Sequence, residues 1–222
     1  MANATQIAYF TFNLPLKNHE INHWRTAFLQ MLPADLMLQQ LANDGTAYPL
    51  VQFCSMGSQA AIVAIDTGIQ AIQEAILAQT WDFTWQKKAY PLGLEQIEVL
   101  EHHFVQLASA RYFSLQAYLP FAPEANVPAW EAPDLITQVK TLQQRLEFHI
   151  QQMISTLELE LSQPLILQLT HLERSKRLSR QVQSPTVFHL KFRSNLIFPP
   201  SIGLGEGLSH GLGKVYLLEK KL

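Results

Sequence analysis

Residues 203–213 contain five glycines in eleven positions: Gly203, Gly205, Gly207, Gly211 and Gly213. Glycine at this density costs a helix or strand interior more conformational entropy than it can recover, so the segment is a loop. Only nine residues follow Gly213. A dinucleotide fold needs a helix and a further strand after its glycine turn, and there is no room for them. A phosphate-binding NTPase loop needs Gly-Lys-Ser/Thr with a glycine five residues upstream. Here Val215 follows Lys214, and Leu208 stands at the upstream position. The remaining reading is a wide turn between a strand ending at Phe198-Pro199-Pro200 and a last strand, Val215–Leu218, whose backbone amides can line an anion-holding concavity.

Charge is concentrated in the same region. The 222 residues carry 16 basic and 18 acidic side chains. Residues 174–222 hold nine basic groups (Arg174, Lys176, Arg177, Arg180, Lys191, Arg193, Lys214, Lys220 and Lys221) against Glu206 and Glu219, a net of +7. The other 173 residues carry −9. A cationic segment on a mildly acidic chain points either to a local polyanion-binding surface or to solvated loops. Cys54 is the only cysteine, which excludes a disulfide framework and a multi-cysteine zinc site. No apolar run is long enough to span a membrane, and no signal peptide opens the chain, so a cytoplasmic protein is expected.

The first ninety residues read β-α-β-β-α-β. Ile7–Leu14 suits a strand by its aromatic and β-branched content. Asn18 is placed to cap a helix whose apolar positions are Ile21, Trp24 and Phe28. Asp35–Leu41 is a short helix or turn, and Asn43-Asp44-Gly45 a loop. Tyr48–Cys54 and Gln59–Ile65 are strands joined by a tight turn at Met56-Gly57-Ser58. Ile69, Ile72, Ile76 and Leu77 mark a second helix, and Asp82–Tyr90 is the expected fourth strand. This order is the ferredoxin-like split βαβ arrangement. Pro91-Leu92-Gly93 reads as the joint, giving domains 1–91 and 92–222. In the second half, Ile97–Leu107 and Tyr112–Leu119 are strand-like, and Phe121–Pro133 is a proline-rich loop. Asp134 opens a long helix with Val139, Leu142, Leu146, Ile150, Met153 and Leu157 on one face. Leu165–Leu169 and Val187–Phe198 are strands, with a basic loop or hairpin, Glu173–Gln183, between them. The fold class is α+β, with the second half a looser unit of the same kind.

Three motifs together resemble a known family. Phe192-Arg193-Ser194-Asn195-Leu196, Pro200-Ser201-Ile202-Gly203-Leu204-Gly205 and Ser209-His210-Gly211-Leu212-Gly213 are similar to the C-terminal signature of CRISPR-associated endoribonucleases that cut precursor CRISPR RNA within its repeats. These belong to the repeat-associated mysterious protein superfamily. Tyr48-Pro49-Leu50-Val51-Gln52-Phe53, Ala60-Ala61-Ile62-Val63, Tyr118-Leu119-Pro120 and the long helix also resemble elements of its repeat-processing branch. The resemblance implies two tandem ferredoxin-like (RRM-like) domains, binding of a CRISPR repeat RNA, and a metal-independent cleavage with no cofactor. Such cleavage proceeds by 2′-hydroxyl attack and leaves a 2′,3′-cyclic phosphate. Other CRISPR effector subunits, or a second copy of the chain, are the protein partners it allows.

Branch members commonly carry histidines just before the Tyr-Pro-Leu strand. Residues 38–47 here contain no His, Lys or Arg, and Tyr48, with an unperturbed pKa near 10, is a poor base. His19 and His23, spaced i, i+4 on one helix face, are the candidate proton-transfer pair, with His210 in the glycine loop as the third candidate. Solvated surface histidines are the competing reading. Arg174, Lys176, Arg177, Arg180, Lys191, Arg193 and Lys214, with Ser209 and the five loop glycines, are the candidate RNA contacts. His102, His103, His149, His171 and His189 read as structural or surface groups; Trp81, Trp85 and Tyr112 are of a type that can stack on bases, but at strand spacing they read as core. The alternative function is a catalytically inactive CRISPR RNA-binding subunit of a larger effector complex.

Overall fold

The computed structural model describes residues 4–32, 47–78, 83–122, 134–174 and 186–218. The chain forms two compact units. The first comprises Ala4–His102 together with Leu208–Gly211, and the second is mainly His103–Gly207 with the chain from Leu212 onward. No helix among the described residues is long and apolar enough to cross a membrane.

In the first unit, β1 (Ala4–Pro15) leads through a 3-10 turn, Asn18–Glu20, into α1 (Ile21–Gln30). β2 (Val51–Met56), β3 (Gln59–Ile65) and α2 (Thr67–Ala78) follow, then the short strands β4 (Phe83–Trp85) and β5 (Lys88–Tyr90), and finally β6 (Leu94–His103). The sheet order is β2-β3-β1-β6. Strand alternation splits the apolar side chains between two faces. Ala8, Phe10, Phe12 and Leu14 join Ile21, Trp24 and Phe28 of α1 in the main core, while Ile7 and Tyr9 pack with Cys54, Ala61 and Val63 on the other face. Trp24 centres the core, with Phe12 and Phe28 at 5.1 Å, Phe83 at 5.9 Å and Phe53 at 6.2 Å. Gly57 and Ser58 both have positive φ, the type I′ pattern expected of a tight hairpin.

The fourth strand differs from expectation. Residues 82–90 do not form one strand in the main sheet. Gln86 and Lys87 turn the chain at φ 50° and 68°, and β4 and β5 pair only with each other. The edge position goes to β6. Its entry is held by Asn13, whose side chain donates to Pro91 O (3.0 Å) and accepts from Gly93 N (2.8 Å), while Asn13 N donates to Gly93 O (3.1 Å). The division of the chain therefore falls after β6, near His102, rather than at Pro91. The expected strand Ile97–Leu107 is interrupted at Phe104-Val105.

The second unit repeats the plan. β7 (Gln106–Tyr118), α3 (Leu135–Thr156), β8 (Leu167–Arg174), β9 (Phe188–Leu196) and β10 (Lys214–Leu217) form a sheet in the order β10-β7-β9-β8. Counted within each unit, both sheets run 4-1-3-2, the ferredoxin-like permutation. Asp134 caps α3 as expected, accepting from Thr137 N at 2.8 Å and Thr137 Oγ1 at 2.7 Å. These bonds hold its carboxyl below the usual range. Leu142, Leu146, Ile150 and Met153 form the buried stripe of α3. Where the first unit has α2 between its third and fourth strands, the second has residues 197–213, the glycine-rich segment. The expected turns at 35–41 and 43–45, the loop 123–133 and the hairpin tip 175–185 lie outside the described residues.

Candidate nucleic-acid interface

Two glycines of the loop, Gly205 and Gly211, are required by packing. A Cβ at Gly205 (φ +113°) would stand 2.8 Å from the Tyr118 ring and 2.9 Å from Leu119 O. One at Gly211 (φ +77°) would stand 2.5 Å from Ile21 Cδ1. The amides of Leu204, Glu206, Leu212 and Gly213 donate to Gly213, Leu119, Gly207 and Ala117 carbonyls. These four donors therefore stabilise the turn itself instead of lining an open anion nest.

The 3-10 turn Leu208–His210 counts with the first unit. Leu208 and Ser209 are buried and His210 is exposed. His210 Nδ1 lies 2.8 Å from Asn22 Oδ1. A carboxamide oxygen only accepts, so Nδ1 carries the proton in this contact and Nε2 is the ring nitrogen left for another partner. Asn22 is in the first turn of α1, next to His23 and three residues after His19, and both of those histidines are exposed. The fold thus brings His210, 187 positions beyond His23 in sequence, to the first turn of the helix that carries His23; His19 is not on that helix, as the spacing suggested, but in the 3-10 turn before it.

A second feature is the outer face of β9. Phe188, Leu190 and Phe192 point to the core, and His189, Lys191 and Arg193 to the opposite face. Arg193 pairs in register with Tyr112, and its guanidinium sits 5.5 Å from that ring's centre. Its Nε is buried, with no hydrogen-bond partner among the described residues. Lys191 is exposed and lies between Ser114 and His171 across the sheet. Lys214 begins β10 opposite Gln116 and bridges Gly203. Arg174 ends β8 opposite Phe188. Lys176, Arg177 and Arg180 lie outside the described residues.

Beneath the loop of the second unit is a polar chain that sequence reading missed. Tyr118 Oη lies 2.8 Å from His149 Nδ1, and His149 Nε2 lies 3.3 Å from Glu206 Oε1. The carboxylate accepts, so Nε2 carries the proton and Nδ1 accepts from the tyrosine. Arg145 Nη2 reaches Glu206 at 3.5 Å, and its guanidinium lies 5.0 Å from the Phe121 ring centre and 4.9 Å from that of Phe148. Burial pushes the Tyr118 phenol well up. Burial also lowers the His149 pKa, against the opposing pull of Glu206. Neither group is placed for chemistry on a solvent-borne substrate; together they anchor Glu206 and with it the loop. The available signal was His149's place on the apolar stripe of α3, three residues from Leu146. Tyr48 is likewise buried, donates no base character, and has its phenol raised by burial while it accepts from Gln52 Nε2 at 2.9 Å.

Two family models divide the chain between them. The one described as the Cas6b N-terminal domain matches residues 3–103, and the one described as the Cas6b C-terminal domain matches residues 106–218. The chain belongs to the Cas6b family. Its fold is similar to that of a crystal structure of Cas6b, with a TM-score of 0.75 and 18% identity over 96% of this chain and 100% of that one. A structure described as the CRISPR RNA processing endoribonuclease Cas6b aligns with a TM-score of 0.70 and 17% identity over the same shares. A protein described as an RAMP protein binding different RNA substrates aligns at 0.54 and 14% identity, over 98% of this chain and 100% of that one. No curated protein sequence matches the chain. The expected family and the tandem ferredoxin-like architecture are therefore both found.

Proposed function

We propose that this chain binds CRISPR repeat RNA and cuts it within the repeat, the processing activity for which one of its structural relatives is named. The observation that supports the catalytic reading is the His210–Asn22 contact, which holds His210 at the first turn of α1, on a residue one position in sequence from His23 and three from His19. In the reaction, one imidazole of the His19/His23 pair takes the proton of a ribose 2′-hydroxyl. The O2′ attacks the adjacent phosphorus in line, the P–O5′ bond breaks, and the other imidazole, protonated, delivers its proton to O5′. His210, held through Nδ1–H to Asn22, donates from Nε2–H to the scissile phosphate in its doubly protonated form. The products are a 2′,3′-cyclic phosphate and a 5′-hydroxyl, with no metal or cofactor in the step. Arg174, Lys176, Arg177, Arg180, Lys191, Arg193 and Lys214 supply phosphate contacts along the second unit. Ser209 is buried and the amides of Gly211 and Gly213 are engaged within the turn, so the glycine loop shapes this surface from within and is not itself assigned a phosphate contact.

The test is cleavage of the repeat from the chain's own CRISPR array in EDTA. The expected outcome is a cyclic-phosphate product, blocked when the scissile nucleotide lacks its 2′-hydroxyl. His19→Ala, His23→Ala and His210→Ala each slow cutting more than binding. Unchanged rates in all three and in the triple variant refute the assignment. A second reading, a subunit that holds processed RNA without cutting it, is favoured by the lack of His, Lys and Arg at 38–47. Tight repeat binding with an intact substrate selects it.

A further inference from the structure

The first unit contains a cavity that the reaction above does not use. It is an open cleft of about 680 Å³, lined by Lys17, Asn18, Ser55, Ser58, Trp85 and Gln86 among others. Three turns meet there: the 3-10 turn before α1, the β2–β3 turn and the β4–β5 turn. The indole of Trp85 is half-buried and lies nearly parallel (14°) to the Phe83 ring, with centroids 6.0 Å apart, so its plane is fixed from within the hairpin. The hairpin tip is strained. Gln86 and Lys87 both sit at positive φ without being glycine, a pairing that persists only where surroundings enforce it. The enforcement is visible in Glu20. Its Oε1 accepts from Gln86 Nε2 at 3.0 Å and its Oε2 from Lys17 N at 2.9 Å, clamping the hairpin to the turn before α1. Glu20 is the acidic wall residue and both its oxygens are engaged. Lys17 lines the cavity, and Lys87 and Lys88 follow Trp85 on the exposed hairpin.

An aromatic plane, carboxamide and hydroxyl groups and a cation are the elements that hold a nucleobase and its phosphate. We propose that this cavity receives one unpaired nucleobase of the bound RNA, stacked on Trp85, with its edge facing Asn18, Gln86 and Ser58 and its phosphate near Lys17. The inference rests on the RNA-binding reading above. Asn18 adjoins His19, so a base anchored here fixes the strand beside a candidate catalytic histidine. The strained tip is then the means of presenting the indole at a set angle.

The experiment is an abasic scan of the repeat RNA, measured by binding to wild type, Trp85→Ala and Trp85→Phe, with far-ultraviolet melts to confirm folding. One abasic position weakens wild-type binding about tenfold, the scale of a single lost stack. Trp85→Ala weakens intact RNA to the same degree and removes the sensitivity at that position, whereas Trp85→Phe keeps most of both. A 5-iodouridine at that position crosslinks to the β4–β5 peptide. If Trp85→Ala binds intact repeat as wild type does, or the abasic penalty persists in it, the nucleobase site is refuted while RNA binding stands. If wild type does not bind the repeat, both readings fall.

Discussion

Gly57 and Gly211 form a matched pair for testing how the glycine loop is held. Both have positive φ, +57° and +77°, so alanine at either position suffers the left-handed penalty of about 1–2 kcal/mol. At Gly57 the added Cβ meets nothing within 4 Å. At Gly211 it would meet Ile21 Cδ1 at 2.5 Å, Ile21 Cγ2 at 2.9 Å and Phe53 O at 3.2 Å. Ile21 is buried, so it has little room to yield, and overpacking adds about 1–3 kcal/mol. The loop can also escape by peeling away. That exposes Leu208, 2% accessible, and costs about 1.5–3 kcal/mol, which caps the observable loss. Both variants regain about 0.4–1 kcal/mol from a stiffer unfolded chain. Gly211→Ala should therefore lose about 2–3 kcal/mol and Gly57→Ala about 1 kcal/mol or less. Thermal melts should show a drop of roughly 4–12 °C for the first and at most about 4 °C for the second, at 2–4 °C per kcal/mol. Equal shifts would refute the packing argument, because the two positions differ in surroundings and not in backbone class.

Acidification tests the buried polar chain. Burial holds the folded-state pKa of His149 below its unfolded value near 6.5. Below that value the unfolded chain binds the proton and the folded chain does not, so stability present above about pH 6.5 is lost as pH falls toward the folded pKa. Wild type should lose more melting temperature between about pH 7.5 and 5.5 than His149→Gln; identical slopes would remove His149 from the account. The outer face of β9 is tested by salt. Lys191→Ala should flatten the log Kd against log[salt] slope for repeat RNA by about one phosphate contact, whereas a slope equal to wild type would take Lys191 off the track. Removing the Trp24 side chain should cost about 3–5 kcal/mol in urea unfolding, since four aromatic rings lose their common neighbour. A loss under about 1 kcal/mol would mean the core closes over the gap.

The local rhythm of the sequence already contains most of the architecture. Ile21, Trp24 and Phe28 define α1 because helical spacing places them on one face, and they are the residues that it buries. Met56-Gly57-Ser58 announces its hairpin, and Asp134 its helix start, because turn and cap chemistry act over two to four residues. The family was legible from the motif spacing in 192–213. What tertiary structure alone decided are the relations that act across long stretches of chain. β6 rather than residues 82–90 completes the first sheet because Asn13 binds the Pro91 and Gly93 backbone, a choice invisible in strand propensity. The glycines looked like an opening for a ligand; three-dimensional packing fills that space with Tyr118, Leu119, Leu212 and Ile21. His149 has no evident partner in sequence and acquires two, 31 and 57 residues away. Trp85 reads by spacing as core, with base stacking as the other use of its ring, and only the fold shows a cavity beside it. Periodicity is a property of neighbours along the chain. Which atoms occupy the space around a glycine, a histidine or an indole depends on segments that meet only after folding.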